Sequence, residues 1–310
     1  MEWHTRYQSQ LADLYRRVEL TIAGYPSPLN ELGLEYASRF NPLQNDSRQD
    51  FICTLLPFWL KDAAALSEQQ CQCLALANVY GMLYFFNQDD LMDSKWDSTM
   101  KQRSALGNLF YLDMLASFRE LFASNSPFWS YFNRYVTEWA DSVVNEVSGN
   151  YFLHDLLRTA GKASPVKLAS TAAWLLASEP ERIPVMEEGI DRVLVTLQML
   201  DDWADWKEDW EEGNYNGLLA LIEAEFGELT RESIGAAIYV RGCMKSFTAI
   251  AVHNHTKLTA LTALLPELIA FNAYMIDALQ SITETIESRK KARLQGGFNS
   301  LFSTFTSKDL

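Results

Sequence analysis

The sequence predicts an all-α protein, a single-domain bundle of about ten helices. Three observations predict it. Apolar residues recur at helical spacing along nearly the whole chain, and strand-like alternation is rare. Only fourteen Gly and nine Pro punctuate 310 residues, mostly between periodic segments. No composition shift or long linker marks a boundary, so one domain is expected over 1–295. The tail at 296–310, beginning Gly296-Gly-Phe-Asn-Ser300, reads equally as a frayed, flexible extension or a lid.

Helices are expected at 3–23, 48–63, 67–90, 98–123, 127–148, 164–178, 184–209, 216–226, 229–252 and 266–294. Ser67-Glu-Gln-Gln70 has the spacing of a capping box at the start of the third. Ser126-Pro127 and Ser164-Pro165 each put a capping serine ahead of a proline at the first helical position. Gly149-Asn150 closes one helix, and Gly213-Asn214 marks a turn after another.

Composition narrows the function. Hydrophobic residues make up 48% and charged residues 21%, which fits an ordered globular chain. Aromatics reach 13%, more ring surface than a plain bundle needs. Net charge is −14 and no basic stripe exists, which argues against nucleic acid as a partner. An anionic ligand meets this charge only with cations between them. Cys53, Cys71, Cys73 and Cys243 form no disulfide framework and no paired zinc spacing, and the four histidines are too scattered for a metal site. The N-terminus lacks an apolar signal core, and no run of about 18 apolar residues exists, so a cytoplasmic protein with no transmembrane segment is expected.

One pattern occurs twice. Asp89-Asp90-Leu-Met-Asp93-Ser-Lys-Trp-Asp97 and Asp201-Asp202-Trp-Ala-Asp205-Trp-Lys-Glu-Asp209 both place aspartates at offsets 0, 1, 4 and 8, and both follow an apolar helical run. Offsets 0, 4 and 8 fall on nearly one helix face, so Asp89, Asp93 and Asp97 are expected to line up, as are Asp201, Asp205 and Asp209. Like charges four residues apart repel, and a helix tolerates them where a cation rewards the arrangement. Hard divalent cations prefer carboxylate oxygen, and magnesium takes one or two carboxylates plus phosphates and water. Two such helices facing each other across a bundle would clamp a diphosphate through bridging metals.

At these residues the chain resembles the class I isoprenoid (terpene) synthase superfamily, which includes trans-prenyl diphosphate synthases and class I terpene cyclases. The resemblance spans roughly residues 45–295 and rests on motif order. Asp89, Asp90 and Asp93 are similar to the first aspartate-rich motif, and Gln198-Met-Leu-Asp201-Asp202-Trp-Ala-Asp205 to the second. Asp201, Asp205 and Asp209 also occupy the positions of the cyclases' Asn/Ser/Glu metal triad. Ala105–Asp113 looks like the small-residue helix that follows the first motif. Gly161-Lys162-Ala-Ser164 resembles a segment whose lysine touches diphosphate.

The resemblance implies an antiparallel bundle around a central cavity. It implies several Mg2+ ions, with Mn2+ as an alternative, held by Asp89, Asp90, Asp93, Asp201, Asp202, Asp205 and Asp209. It further implies a prenyl diphosphate substrate, ionised as Lys162, with Arg158 and Lys167 as weaker candidates, stabilises the departing charge. An allylic cation then needs a dry cavity with aromatic faces, for which Phe86 and Phe85 are the first candidates and Tyr84, Trp139 and Trp174 the next. Met82, Leu194 and Met199 would set its depth. The turn at 212–216 reads equally as a flap over the metals or a solvated turn.

Departures from the family pattern bear on the reaction. Chain-elongating synthases carry a Gly-Lys-x-x-Arg-Pro segment and an Arg-Arg-Gly after the first motif, which bind a second diphosphate. Here the corresponding stretches read Asn45-Asp-Ser-Arg48-Gln-Asp50 and Ser94-Lys95-Trp96. A cyclase acting on one prenyl diphosphate is therefore the first expectation. A prenyltransferase is the alternative, with Arg48, Lys95 or Arg103 in place of the usual clamp. A non-catalytic synthase subunit is the third reading, disfavoured by two intact clusters. A homodimer is compatible with such a bundle and is not legible in the sequence.

Overall fold

A computed structural model describes residues 5–44, 47–48, 50–93, 97–146 and 149–306, with 293–306 described in backbone only. Among these residues all regular structure is helical. The α-helices are α1 (Gln8–Ala23), α2 (Leu29–Ser38), α3 (Phe51–Ala63), α4 (Glu68–Asp93), α5 (Met100–Leu121), α6 (Phe128–Val144), α7 (Tyr151–His154), α8 (Lys167–Leu176), α9 (Ile183–Glu212), α10 (Gly217–Phe226), α11 (Arg231–Ala236), α12 (Cys243–Thr256) and α13 (Pro266–Thr306). A 3-10 segment, Leu156–Val166, leads into α8. None of these helices is long and apolar enough to cross a membrane. Backbone contacts divide the chain into two compact units. One comprises Met1–Asp141, Lys162–Ile190 and Ala260–Ala270, the other Ser142–Gly161, Asp191–Thr259 and Phe271–Leu310.

In the first unit, α4 and α5 form the most extensive helix pair. Two glycines set their spacing. A Cβ on Gly81 would lie 3.1 Å from the Met114 sulfur, and one on Gly107 would lie 2.5 Å from Asn87 Nδ2. The freed space lets Asn87 donate to the Arg103 carbonyl at 3.1 Å, tying the C-terminal half of α4 to α5. Helix α3 is buried on every side from Phe51 to Leu60, the pattern of a central core helix. Pro57 inside it has no N–H to give the Cys53 carbonyl one turn back. The buried Asn78 of α4 donates to that carbonyl instead, at 2.5 Å.

Helix α8 packs on α3 and α4 and is buried from Lys167 to Trp174. Lys167 is the one charged residue of this buried helix. Its ammonium donates to Glu138 Oε2 at 2.9 Å and lies 5.1 Å from the Tyr135 ring centroid. Ser164 donates to the same carboxylate oxygen at 2.5 Å. The serine expected to cap this helix therefore serves the ion pair, and α8 begins three residues later. Tyr135 donates to Glu187 and shares a 2.6 Å hydrogen bond with Thr171, completing a polar cluster within the unit.

In the second unit, α7 and α12 both pack on α10, and Phe152 of α7 stacks on Phe247 of α12 with centroids 5.5 Å apart. The helix expected over 229–252 is interrupted. Thr230 and Ser233 form a capping box that starts α11, a wide π-type turn follows at Ala237–Arg241, and Gly242 at φ +86° restarts the chain as α12. Left-handed backbone is available to glycine without steric cost, which is why the break falls there.

Two of the three expected caps form, at Ser67 and Ser126. Ser67 and Gln70 bond reciprocally, Gln70 N–H to Ser67 Oγ at 3.2 Å and Ser67 N–H to Gln70 Oε1 at 2.8 Å. Ser126 accepts from the Phe128 N–H at 3.3 Å. Helix α2 was not legible, because Pro26, Pro28, Asn30 and Gly33 resemble a loop. It forms because Gly33 presses on Ile22 and Leu106, where a Cβ would lie 2.7 and 3.1 Å from their methyl carbons. The backbone of α13 continues through Gly296 and Gly297 to Thr306.

The Lys167–Glu138 pair yields a test. Burial works to raise the Glu138 carboxyl, but the Ser164 hydroxyl and the Lys167 ammonium outweigh it and hold the group below its ordinary 4.5. Its stabilisation is therefore full above pH 4.5 and is lost as pH falls through the lower folded value, because the unfolded chain binds the proton first. Glu138→Gln should cost about 1–2 kcal/mol at pH 7, less than a fully buried pair because Glu138 is 41% exposed. That corresponds to a fall of a few degrees in Tm. Adding Lys167→Met should recover most of the loss, and the acid limb of a Tm–pH profile should flatten in both variants.

Candidate functional site: two aspartate-rich helix ends

The first cluster ends α4, whose preceding turns are core. Leu83, Phe85 and Asn87 are buried, and then Asp89 and Asp93 emerge exposed, one turn apart on the same face. Asp90 is half-buried. Tyr36 of α2 donates its hydroxyl to Asp90 Oδ2 at 3.0 Å. Burial first, and then the Asp90 charge, hold the Tyr36 phenol far above its ordinary range, so Tyr36 keeps its proton and acts as donor. Arg39 lies 5.6 Å from the Tyr36 ring centroid. Arg48 lies 5.9 Å from that of Phe40 and 5.7 Å from that of Phe86.

The two aromatic candidates next to this cluster separate. Phe86 presents a face to a cation, and within its unit that cation is Arg48. Phe85 is core: it meets Trp139 edge-on at 4.9 Å and Tyr84 at the same distance. Trp174, Met82, Leu194 and Met199 are also buried in packed interior.

Asp97 does not continue the acidic face. Helix α4 ends at Asp93, and the Asp97 carboxylate accepts from the Thr99 N–H and hydroxyl, each at 2.7 Å, at the entry to α5. The Thr99 hydroxyl, followed by its N–H, lowers the Asp97 pKa. An aspartate two residues ahead of a threonine forms a local turn more readily than it extends a helix. Lys95 and Trp96 lie outside the described residues.

The second cluster ends α9, and its four aspartates do different work. Asp201 and Asp205 are exposed, Asp209 is half-buried, and Asp202 is 3% exposed. Asp202 Oδ1 accepts from Gln198 at 3.0 Å, and Oδ2 accepts from the Gly217 N–H at 3.0 Å, at the start of α10. Burial pushes its carboxyl up to about 7; Gln198 and Gly217 counter the rise, and Asp209 and Asp201 add to it. Asp202 was expected among the metal ligands. Instead, both its oxygens are engaged by protein donors, and it fastens α10 to α9.

Asn216 connects this anchor to Asp209. Its Nδ2 donates at 2.8 Å to both the Asp202 carbonyl and Asp209 Oδ2, while its Oδ1 caps α10 by accepting from Leu218 and Leu219 N–H. Helical phase explains the pairing. At about 100° per residue, Asp209 lies about 20° from Asp202 in phase but about 80° from Asp201. The expected single face of Asp201, Asp205 and Asp209 is thus a broad arc. The turn at 212–216 is tied at both ends, with Gly213 and Asn214 N–H bonding back to the Asp209 carbonyl and Asn216 capping the next helix.

The basic candidates occupy the 3-10 segment and its sequel. Lys162 is half-buried, and Arg158 is exposed, its guanidinium 5.4 Å from the Tyr151 ring centroid. Lys167 is committed to Glu138 and drops out of the diphosphate role. All four cysteines are free and buried. Among the described residues no three His, Cys, Asp or Glu side chains converge as a ready-made metal site.

The class these features define is an all-α protein with two aspartate-rich helix ends. The chain matches no family model, no curated protein and no solved structure. Tyr36 and Gly217 were not singled out by their sequence context, and Asn216 reads as the last residue of the turn at 212–216. Asn216 ahead of an apolar run carries the usual signal of a helix cap, but its reach to Asp209 depends on how α10 folds back on α9.

Gly217 is the tightest point of this arrangement. A Cβ there would lie 2.6 Å from Phe152 Cδ2 and 2.7 Å from Asp202 Oδ2. Gly217→Ala should destabilise the protein by about 1–3 kcal/mol, visible as a lower Tm, whereas Gly235→Ala, with nothing within 4 Å, should not.

Proposed function

We propose that this protein is a magnesium-dependent class I terpene synthase that ionises an allylic prenyl diphosphate and releases diphosphate. One observation carries the reading: two long helices, α4 and α9, each pass from buried apolar turns to exposed carboxylates at matching offsets. Such an arrangement costs a helix stability through like-charge repulsion, and a hard divalent cation supplies the compensating interaction.

The donor set fits magnesium. Asp89 and Asp93 on α4, and Asp201 and Asp205 on α9, offer hard oxygen donors from exposed positions one turn apart. Magnesium takes one or two carboxylates and completes its shell with water and phosphate, so it does not require three converging protein ligands. When bound, it supplies Lewis-acid neutralisation of the leaving diphosphate. Asp90 and Asp209 join these ligands with one oxygen each tethered by Tyr36 and Asn216. Lys162 and Arg158 add positive charge for the diphosphate in this reading, and the net charge of −14 makes such cations necessary.

A prenyltransferase is the second reading, and a specific observation favours it. Arg39 lies 5.6 Å from the Tyr36 ring centroid, paired with Glu35 at 3.0 Å, and Arg48 lies 5.7 Å from the Phe86 ring centroid, so two guanidiniums accompany the first cluster within its unit. They supply some of the positive charge that a second diphosphate needs.

Purified protein should release diphosphate from one of farnesyl, geranylgeranyl or longer prenyl diphosphates with Mg2+ and not with excess chelator. Product formed without isopentenyl diphosphate supports the cyclase; product formed only in its presence makes the protein a prenyltransferase. Asp89→Asn with Asp93→Asn should lower release by about a hundredfold or more, with the fold retained by circular dichroism. Undiminished release would remove the first cluster from the reaction.

A further inference from the structure

We propose that Tyr36 is a positioning residue for the first aspartate cluster, holding Asp90 in the orientation in which it binds a divalent cation. The inference rests on the metal role proposed for that cluster and adds a residue from another helix to it.

The geometry is that of a fixed donor. Tyr36 is 8% exposed, and its ring meets Phe40 at 5.2 Å and Phe110 at 6.1 Å, with Arg39 near its face. The ring cannot swing without displacing those groups. Its hydroxyl reaches Asp90 Oδ2 from α2, 54 residues back in the chain. Of the three motif carboxylates, Asp90 is the half-buried one, and this bond holds its Oδ2. A neutral hydroxyl aligns a carboxylate without cancelling its charge, as a cationic partner would. Donors behind a metal-binding side chain typically change metal affinity by about ten- to a hundredfold when removed.

The same aromatic cluster contains a matched control. Tyr25 also contacts Phe110, at 6.3 Å, and also donates to a carboxylate, Asp113 Oδ2 at 2.5 Å, but it touches no motif aspartate. Tyr36→Phe and Tyr25→Phe remove the same kind of bond from the same neighbourhood and leave the rings in place.

The test is Mn2+ binding to the full chain, followed by electron paramagnetic resonance without substrate, together with the Mg2+ dependence of turnover. Tyr36→Phe should weaken the Mn2+ binding that Asp89→Asn also weakens, by about tenfold or more. It should raise the Mg2+ concentration for half-maximal turnover while leaving kcat at saturating Mg2+ and the product pattern nearly unchanged. Tyr25→Phe should shift neither. Wild-type affinity in Tyr36→Phe, or an equal loss in Tyr25→Phe, overturns the assignment while the metal role of the cluster stands. If wild-type protein shows no Mn2+ binding sensitive to Asp89→Asn, the metal role fails and the assignment fails with it.

Discussion

A carboxylate at the edge of an apolar core keeps its charge only if water, a donor or a cation satisfies its oxygens. That constraint organises both aspartate-rich helix ends. Asp89, Asp93, Asp201 and Asp205 stand exposed, within reach of water. Asp90 meets it through Tyr36, Asp209 through Asn216, and Asp97 through the turn it forms with Thr99. Asp202 is buried, and although two donors serve it, its carboxyl still rises to about 7. Identical residues in one repeated pattern thus carry four separate tasks, sorted by burial and by the donors beside them.

The same constraint governs the cations. Lys167 is admitted to a buried helix with no other charge because Glu138 and the Tyr135 ring receive it. Arg48 lies against Phe40 and Phe86, so the positive charge beside the first cluster is held by aromatic faces. Much of the aromatic surplus is ordinary interior. Phe118, Phe122, Phe128 and Phe132 pack on one another, and Phe85 joins Tyr84 and Trp139. The reading as a terpene synthase therefore draws on the carboxylates and their order along the chain more than on ring content.

Helix spacing and composition made the all-α class and most of the long helices legible, because periodicity is a local property that packing seldom overrides in a strongly amphipathic or wholly apolar segment. The capping box at Ser67 was legible for the same reason, being complete within four residues. Helix α2 was hidden because its glycine and prolines look like a turn until Ile22 and Leu106 close on Gly33. The break at Gly242 was hidden because apolar spacing runs on across it.

For the candidate site, the sequence by itself determined which carboxylates occur, their offsets and the apolar turns ahead of them. Tertiary structure decided which of them stand exposed and which are captured by the next helix. Asp202 was lost to the start of α10 and Asp97 to the start of α5, since each is captured by backbone N–H groups whose positions depend on where the next helix begins. Tyr36 and Asn216 entered for the matching reason: a hydrogen bond is made in space, and no local spacing rule brings α2 to the end of α4 or folds α10 back on α9.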